Sequence, residues 1–122
     1  MQLIRKPMRL LTKEIKTKLL RNSEPANRDK DHKPVVKFFG GGACTWLITE
    51  MGYDEPKAPA WLFGLCDLGQ GYPELGYVSL DELESIKFPP FGLGVERDRH
   101  FKANKTLSQY HNEAIEAHRI IA

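Results

Sequence analysis

The chain has 122 residues, 41% of them hydrophobic and 28% charged, and a formal net charge of +2. That length suits one domain able to bury roughly two-thirds of its unfolded surface, so no disulfide or metal is needed to hold a core. The composition excludes a wholly disordered chain, a collagen-like chain and a disulfide scaffold.

The longest apolar run, residues 60–66, falls far short of the ~20 residues a membrane-spanning helix needs. Arg5, Lys6 and Arg9 interrupt any apolar segment at the start, so no signal peptide is expected and the expected location is cytoplasmic. The small net charge conceals a division. Residues 1–37 hold eleven Lys or Arg against four acids, whereas the other 85 residues hold seven against twelve. A basic segment ahead of an acidic body attracts a polyanion or an acidic protein surface, or folds onto its own acids.

In chain order, residues 1–9 read as a loose basic arm. Thr12 is a good N-cap for a helix ending near Asn22, with Glu14 in its first turn and Pro25 beyond its end. Ile15, Leu19 and Leu20 form its apolar stripe. Lys13, Lys16 and Arg21 lie off that stripe and should face water or a partner. Residues 22–34 are polar, contain two prolines and are expected to form a mobile loop. A strand over 35–39 and another over 45–51 flank the hairpin-like connection from Gly40 to Ala43. Alternation puts Trp46, Ile48 and Glu50 on one face of the second strand and Thr45, Leu47 and Thr49 on the other.

Residues 60–68 are apolar at successive positions, as a central strand requires, and the aromatic residues of these strands (Phe38, Phe39, Trp46, Trp61, Phe63) are expected in the core. If exposed, they could instead stack on single-stranded bases. A short strand over 76–78 precedes a helix over 80–86, which Ser79 and Glu82 cap. A strand over 95–101 follows. Thr106 and Gln109 then open a last helix to about residue 121, with Leu107, Tyr110, Ala114, Ala117 and Ile121 on one face. The order of elements predicts a single α+β domain, a mainly antiparallel sheet covered by helices.

Two constellations could carry chemistry. In the segment L-C-D-L-G-Q-G-Y-P-E-L-G, Asp67 ends a buried strand and Glu74 lies across a glycine-rich turn. Paired carboxylates there would suit a small metal-dependent hydrolase, and the same residues equally build a tight turn. Glu96, Asp98 and His100 alternate, so a strand would align them as a possible cation site, or as a charged edge that discourages pairing. His111 and His118 are about 10.5 Å apart along a helix, too far to share one metal. Cys44 and Cys66 lack CxxC spacing and are expected as reduced thiols. Gly40, Gly41 and Gly42 lack the ending of a phosphate loop.

The run L-C-D-L-G-Q-G-Y-P-E-L-G-Y-V-S-L-D-E-L-E-S, the later V-E-R-D, and the earlier L-L-T-K-E-I, P-V-V-K-F-F and T-W-L-I-T-E together resemble a bacterial family known only as a domain of unknown function. The resemblance covers roughly residues 10–102, leaving the basic arm and the last helix outside it. Its members are carried by plasmids, integrative elements and phages, sometimes joined to antirestriction-type domains. The resemblance thus implies an accessory role in transfer or in evading host defence, and it transfers no catalytic residue.

The expected function is a non-enzymatic, cytoplasmic binding protein of a mobile element. Lys13, Lys16, Arg21, Arg28 and Lys30 would engage a host or mobile-element protein complex or a nucleic-acid backbone and occlude it. No cofactor is expected, and the oligomeric state is left open. The alternatives are the hydrolase using Asp67 and Glu74, and a module that tethers a partner through its last helix.

Overall fold

The computed structural model describes residues 10–122, so the basic arm expected over 1–9 lies outside the described residues. The first helix, α1, spans Lys13–Asn22, and the Thr12 hydroxyl accepts from the Ile15 N–H at 3.2 Å. That cap satisfies one of the donors a helix start leaves free. Leu19 is fully buried on the inner side of α1, while Lys13, Lys16, Lys18 and Arg21 are exposed.

The five strands are β1 (Val36–Gly40), β2 (Cys44–Gly52), β3 (Trp61–Asp67), β4 (Glu74–Ser79) and β5 (Glu96–Arg97). They form one antiparallel sheet in the order β4-β3-β2-β1-β5. Two further helices, α2 (Leu80–Ser85) and α3 (Leu107–Ala117), complete the α+β domain. Phe38, Trp46, Ile48, Met51 and Leu62 face a core shared with Leu10 and Leu19 of the α1 region and Leu83 of α2. Leu47 and Leu65 point the other way, onto Leu107, Tyr110 and Ala114 of α3 and onto Ile120. The two central strands are therefore buried on both faces, which is why residues 60–68 read as continuously apolar.

The alternation expected along β2 breaks at a bulge between Ile48 and Glu50. The extra residue reverses the faces beyond it, so Met51 instead of Glu50 joins Trp46 and Ile48 in the core. Beside the bulge, β2 and β3 approach so closely that a Cβ on Gly64 would run into the Leu47 carbonyl oxygen and sit 2.9 Å from the Ile48 Cα.

Residues 22–34 are held at several points instead of forming the expected mobile loop. Asn22 Nδ2 donates to the Thr49 carbonyl at 2.9 Å, and Asn27 Nδ2 donates to the Arg21 carbonyl at 3.0 Å. Asp31 accepts from the Ser108 N–H at 3.1 Å and from the Ser108 hydroxyl, and the Leu107 N–H donates to the His32 carbonyl at 2.8 Å. The polar residues of this loop thus fasten α1 to β2 and cap α3 from the far side of the chain. Two other expectations are corrected. The strand predicted over 95–101 shrinks to Glu96–Arg97, because Asp98 accepts from the His100 N–H at 2.9 Å and turns the chain. The last helix stops at Ala117, where His118 takes a left-handed conformation (φ 59°), so Ile120 is buried and Ile121 is 47% exposed.

Two outcomes test this account. Gly64→Ala should destabilise the fold by at least about 2 kcal/mol in urea unfolding, since backbone on both central strands must move to admit the methyl group. The Ser108 hydrogen bonds hold the Asp31 carboxyl below its ordinary value. A depressed carboxylate contributes stability above the ordinary aspartate range and loses it as pH falls through the depressed value. The Ser108 amide resonance should therefore titrate at a pH below that range, and Asp31→Asn should abolish the titration.

Candidate functional site

The basic residues singled out in the sequence share one region. Lys13, Lys16 and Arg21 of α1 are exposed, together with Lys18 and Glu14; Lys16 borders the apolar stripe beside Leu19 and Leu20, and Glu14 falls between Arg21 and Lys18 around the helix. Lys13 and Arg21 are about 12 Å apart along the helix axis. The hydrogen bond from Asn27 to the Arg21 carbonyl brings the exposed Arg28 and Lys30 beside the end of α1, and Lys30 Nζ reaches Asn27 Oδ1 at 3.2 Å. The described ion pairs engage other lysines, Lys37 with Asp98 at 3.8 Å and Lys105 with Glu113 at 2.6 Å. Half-buried Glu50 lies near this loop. Burial pushes its carboxyl up, and the nearby His32 and Arg28 pull it partly back. Lys13 and Lys16 also line a concavity of about 410 Å³ with Tyr53 of the β2–β3 connection and Glu84 of α2.

Asp67 and Glu74 do not converge. Asp67 pairs with Thr45 across β2, whereas Glu74 pairs with Cys66, its immediate neighbour in β3. Adjacent residues of a strand point to opposite faces, so the two carboxylates lie on opposite sides of the sheet. Asp67 is 3% exposed, and both its oxygens accept backbone hydrogen bonds. Oδ1 receives the Gly69 N–H at 2.8 Å, and Oδ2 receives the Ile120 N–H at 2.9 Å. One carboxylate thus shapes the β3–β4 turn and seats the chain after α3.

Glu96, Asp98, His100, Arg97 and Arg99 surround a shallow concavity of about 430 Å³. The two guanidinium groups there oppose a cation, and Asp98 is already engaged by the His100 N–H and lies near Lys37. No group of three His, Cys, Asp or Glu among the described residues could hold a metal ion. Cys44 and Cys66 are free thiols at diagonal positions on β2 and β3. Burial first, and then the Glu74 carboxylate, push the Cys66 thiol up to about 11, which keeps it protonated and unreactive.

Sequence reasoning missed a second feature. Phe38 and Trp46 are buried as expected, but Trp61 and Phe63 are only half-buried and Phe39 is 37% exposed. Tyr77 of β4, itself 69% exposed, meets Trp61 edge-on at 5.3 Å and Phe63 at 4.9 Å between ring centroids. The signal was the alternation of Leu75 and Tyr77 opposite an apolar strand. The expected strand began only at residue 76, which hid it.

If Asp67 serves the fold in this way, Asp67→Ala should cost about 3 kcal/mol in urea unfolding, and Asp67→Asn about half as much because the amide oxygen keeps one acceptor. Hydrogen exchange at the Ile120 amide should accelerate in both variants.

No curated protein and no solved structure matches the chain. Residues 10–121 match the family described as "Protein of unknown function (DUF2958)". The match takes in α3, so the last helix is a shared part of the family and not an addition specific to this chain, as the shorter resemblance had implied. Covering all of the chain except residues 1–9 and the last residue, it shows that the chain belongs to the DUF2958 family.

Proposed function

We propose that this protein is an accessory binding module of a mobile element. It acts by occlusion, laying the basic face of α1 and the following loop on a negatively charged host or element surface. The observation that supports this reading is the outer face of α1. It presents Lys13, Lys16, Lys18 and Arg21 without an ion pair among the described residues, flanked by Arg28 and Lys30. The loop carrying Arg28 is fastened to α1 and α3, so its charges are held in place before binding, which limits the entropy lost on association. The described ion pairs, Lys37 with Asp98 and Lys105 with Glu113, do not engage these cations, and the acids nearest them are Glu14 on α1 itself and Glu84 in the concavity of Lys13 and Lys16. A nucleic-acid backbone is the simplest ligand of this kind, since a row of cations on a rigid helix matches its charge without reading its sequence. The mobile-element setting rests on the family resemblance and the occlusion on the charge.

The test combines capture with charge reversal. Tagged protein should retain a ligand from host lysate, and nuclease together with raised salt should release it. For a purified random-sequence duplex, Lys13→Glu, Lys16→Glu and Arg21→Glu combined should weaken binding at least about a hundredfold at low salt and lower the slope of log K against log salt by about 0.9 per lost phosphate contact. The melting temperature should stay close to that of the unaltered protein, since all three side chains are exposed. Capture that persists in the triple variant overturns the assignment of this face.

A further inference from the structure

The two edges of the sheet are built differently. β5 has two residues, Glu96 and Arg97, and is followed by Asp98 and Arg99, so shortness and charge both protect it from pairing. β4 has six residues and no neighbour on its outer side among the described residues. It lacks lysine, proline and a bulge, the usual devices that blunt an edge. Residues 68–79 contain one charged side chain, Glu74, in a chain that is 28% charged. The same stretch holds four exposed large apolar residues, Leu68 (56%), Tyr72 (78%), Leu75 (41%) and Tyr77 (69%).

We infer that β4 is a homodimer interface, pairing antiparallel with β4 of a second copy about a two-fold axis through Gly76. The register follows from which side chains share a face. Leu75 and Tyr77 flank Gly76 and pair with Leu65 and Phe63 on the α3 side of the sheet. An axis perpendicular to the sheet at Gly76 sets Leu75 against Tyr77 of the second copy, twice, and continues the Trp61–Phe63–Tyr77 cluster across the junction. Glu74 then faces Val78 of the second copy, so no like charges meet along the strands. The acids of α2 (Asp81, Glu82, Glu84) lie toward the uncharged turn Gly69–Gln70–Gly71–Tyr72 of the other copy. A Cβ on Gly76 meets nothing within 4 Å, which leaves its side of the junction open.

The near-neutrality of this edge favours a second copy as the occupant. An acidic or basic partner strand finds a single carboxylate to complement, whereas an identical neutral, apolar edge buries Leu75 and Tyr77 on both sides. The product is a ten-stranded sheet, within the range of open sheets. Because the axis is perpendicular to the sheet, both α1 helices fall on the same side. The β2 strands beneath them are about 24 Å apart, at ~4.8 Å per strand. The inference stands independently of what α1 binds.

Sedimentation velocity and a cysteine at position 76 test it. The unaltered protein should sediment as a dimer at concentrations up to about 100 μM, and Leu75→Lys with Tyr77→Lys should weaken self-association at least about tenfold while circular dichroism shows the fold retained. Gly76→Cys should form a disulfide-linked dimer under mild oxidation, since residues facing each other on a two-fold axis lie within disulfide reach. Glu84→Cys, away from the axis, should not. A monomer throughout that concentration range overturns the inference. So does a dimer that the lysine variant leaves intact, or cross-linking at position 84 as fast as at position 76.

Discussion

The close pairing of β2 with β3 is the constraint on which the rest of the molecule depends. These strands are apolar on both faces, so each face must be covered, and the chain supplies α1 and α2 for one side and α3 for the other. The approach is tight enough that Gly64 has no room for a side chain. The bulge before Glu50 is the second part of the same arrangement. It turns Met51 inward and leaves Glu50 only half-buried beside the loop that carries Arg28 and His32. On the surface of this clad sheet, the basic residues of α1 and the β4 edge, which has no neighbour among the described residues, stand out.

Polar groups in this protein serve mainly to fasten segments that have little hydrophobic area of their own. Asp67 holds the β3–β4 turn and the chain after α3 with its two oxygens. Asp31 caps α3 from a position 77 residues earlier in the chain. Arg97 Nη1 donates to the Leu10 carbonyl at 2.9 Å and ties β5 to the entry of α1. Each of these polar groups has its hydrogen-bond partner, consistent with the cost of burying an unpaired one. What resembled a catalytic carboxylate pair is thus one structural clamp and one exposed residue on the opposite face.

The two surface features are complementary in kind. The α1 face is charged, helical and fixed in place by the loop that follows. The β4 edge is neutral, aromatic and offers backbone hydrogen bonds. Charge gives long-range attraction that salt weakens, whereas strand pairing and apolar burial persist in salt. On the two proposals, recognition of a charged partner and self-assembly would use separate surfaces.

Local chemistry was legible in the sequence. The caps at Thr12 and Ser79, the hairpin after Gly40, the two-sided strand ending at Asp67 and the α+β class all follow from residue spacing within a few positions, because each depends on neighbours along the chain. The candidate basic residues were legible for the same reason, since charge is a property of the residue itself. Tertiary structure decided the rest. It moved Met51 inward through a bulge, ended α3 at His118, tied down residues 22–34 and set Asp67 and Glu74 on opposite faces. It also left Tyr77 exposed beside Trp61. All of these depend on which strand lies next to which, and that pairing is settled by long-range burial and hydrogen bonding that no local pattern encodes.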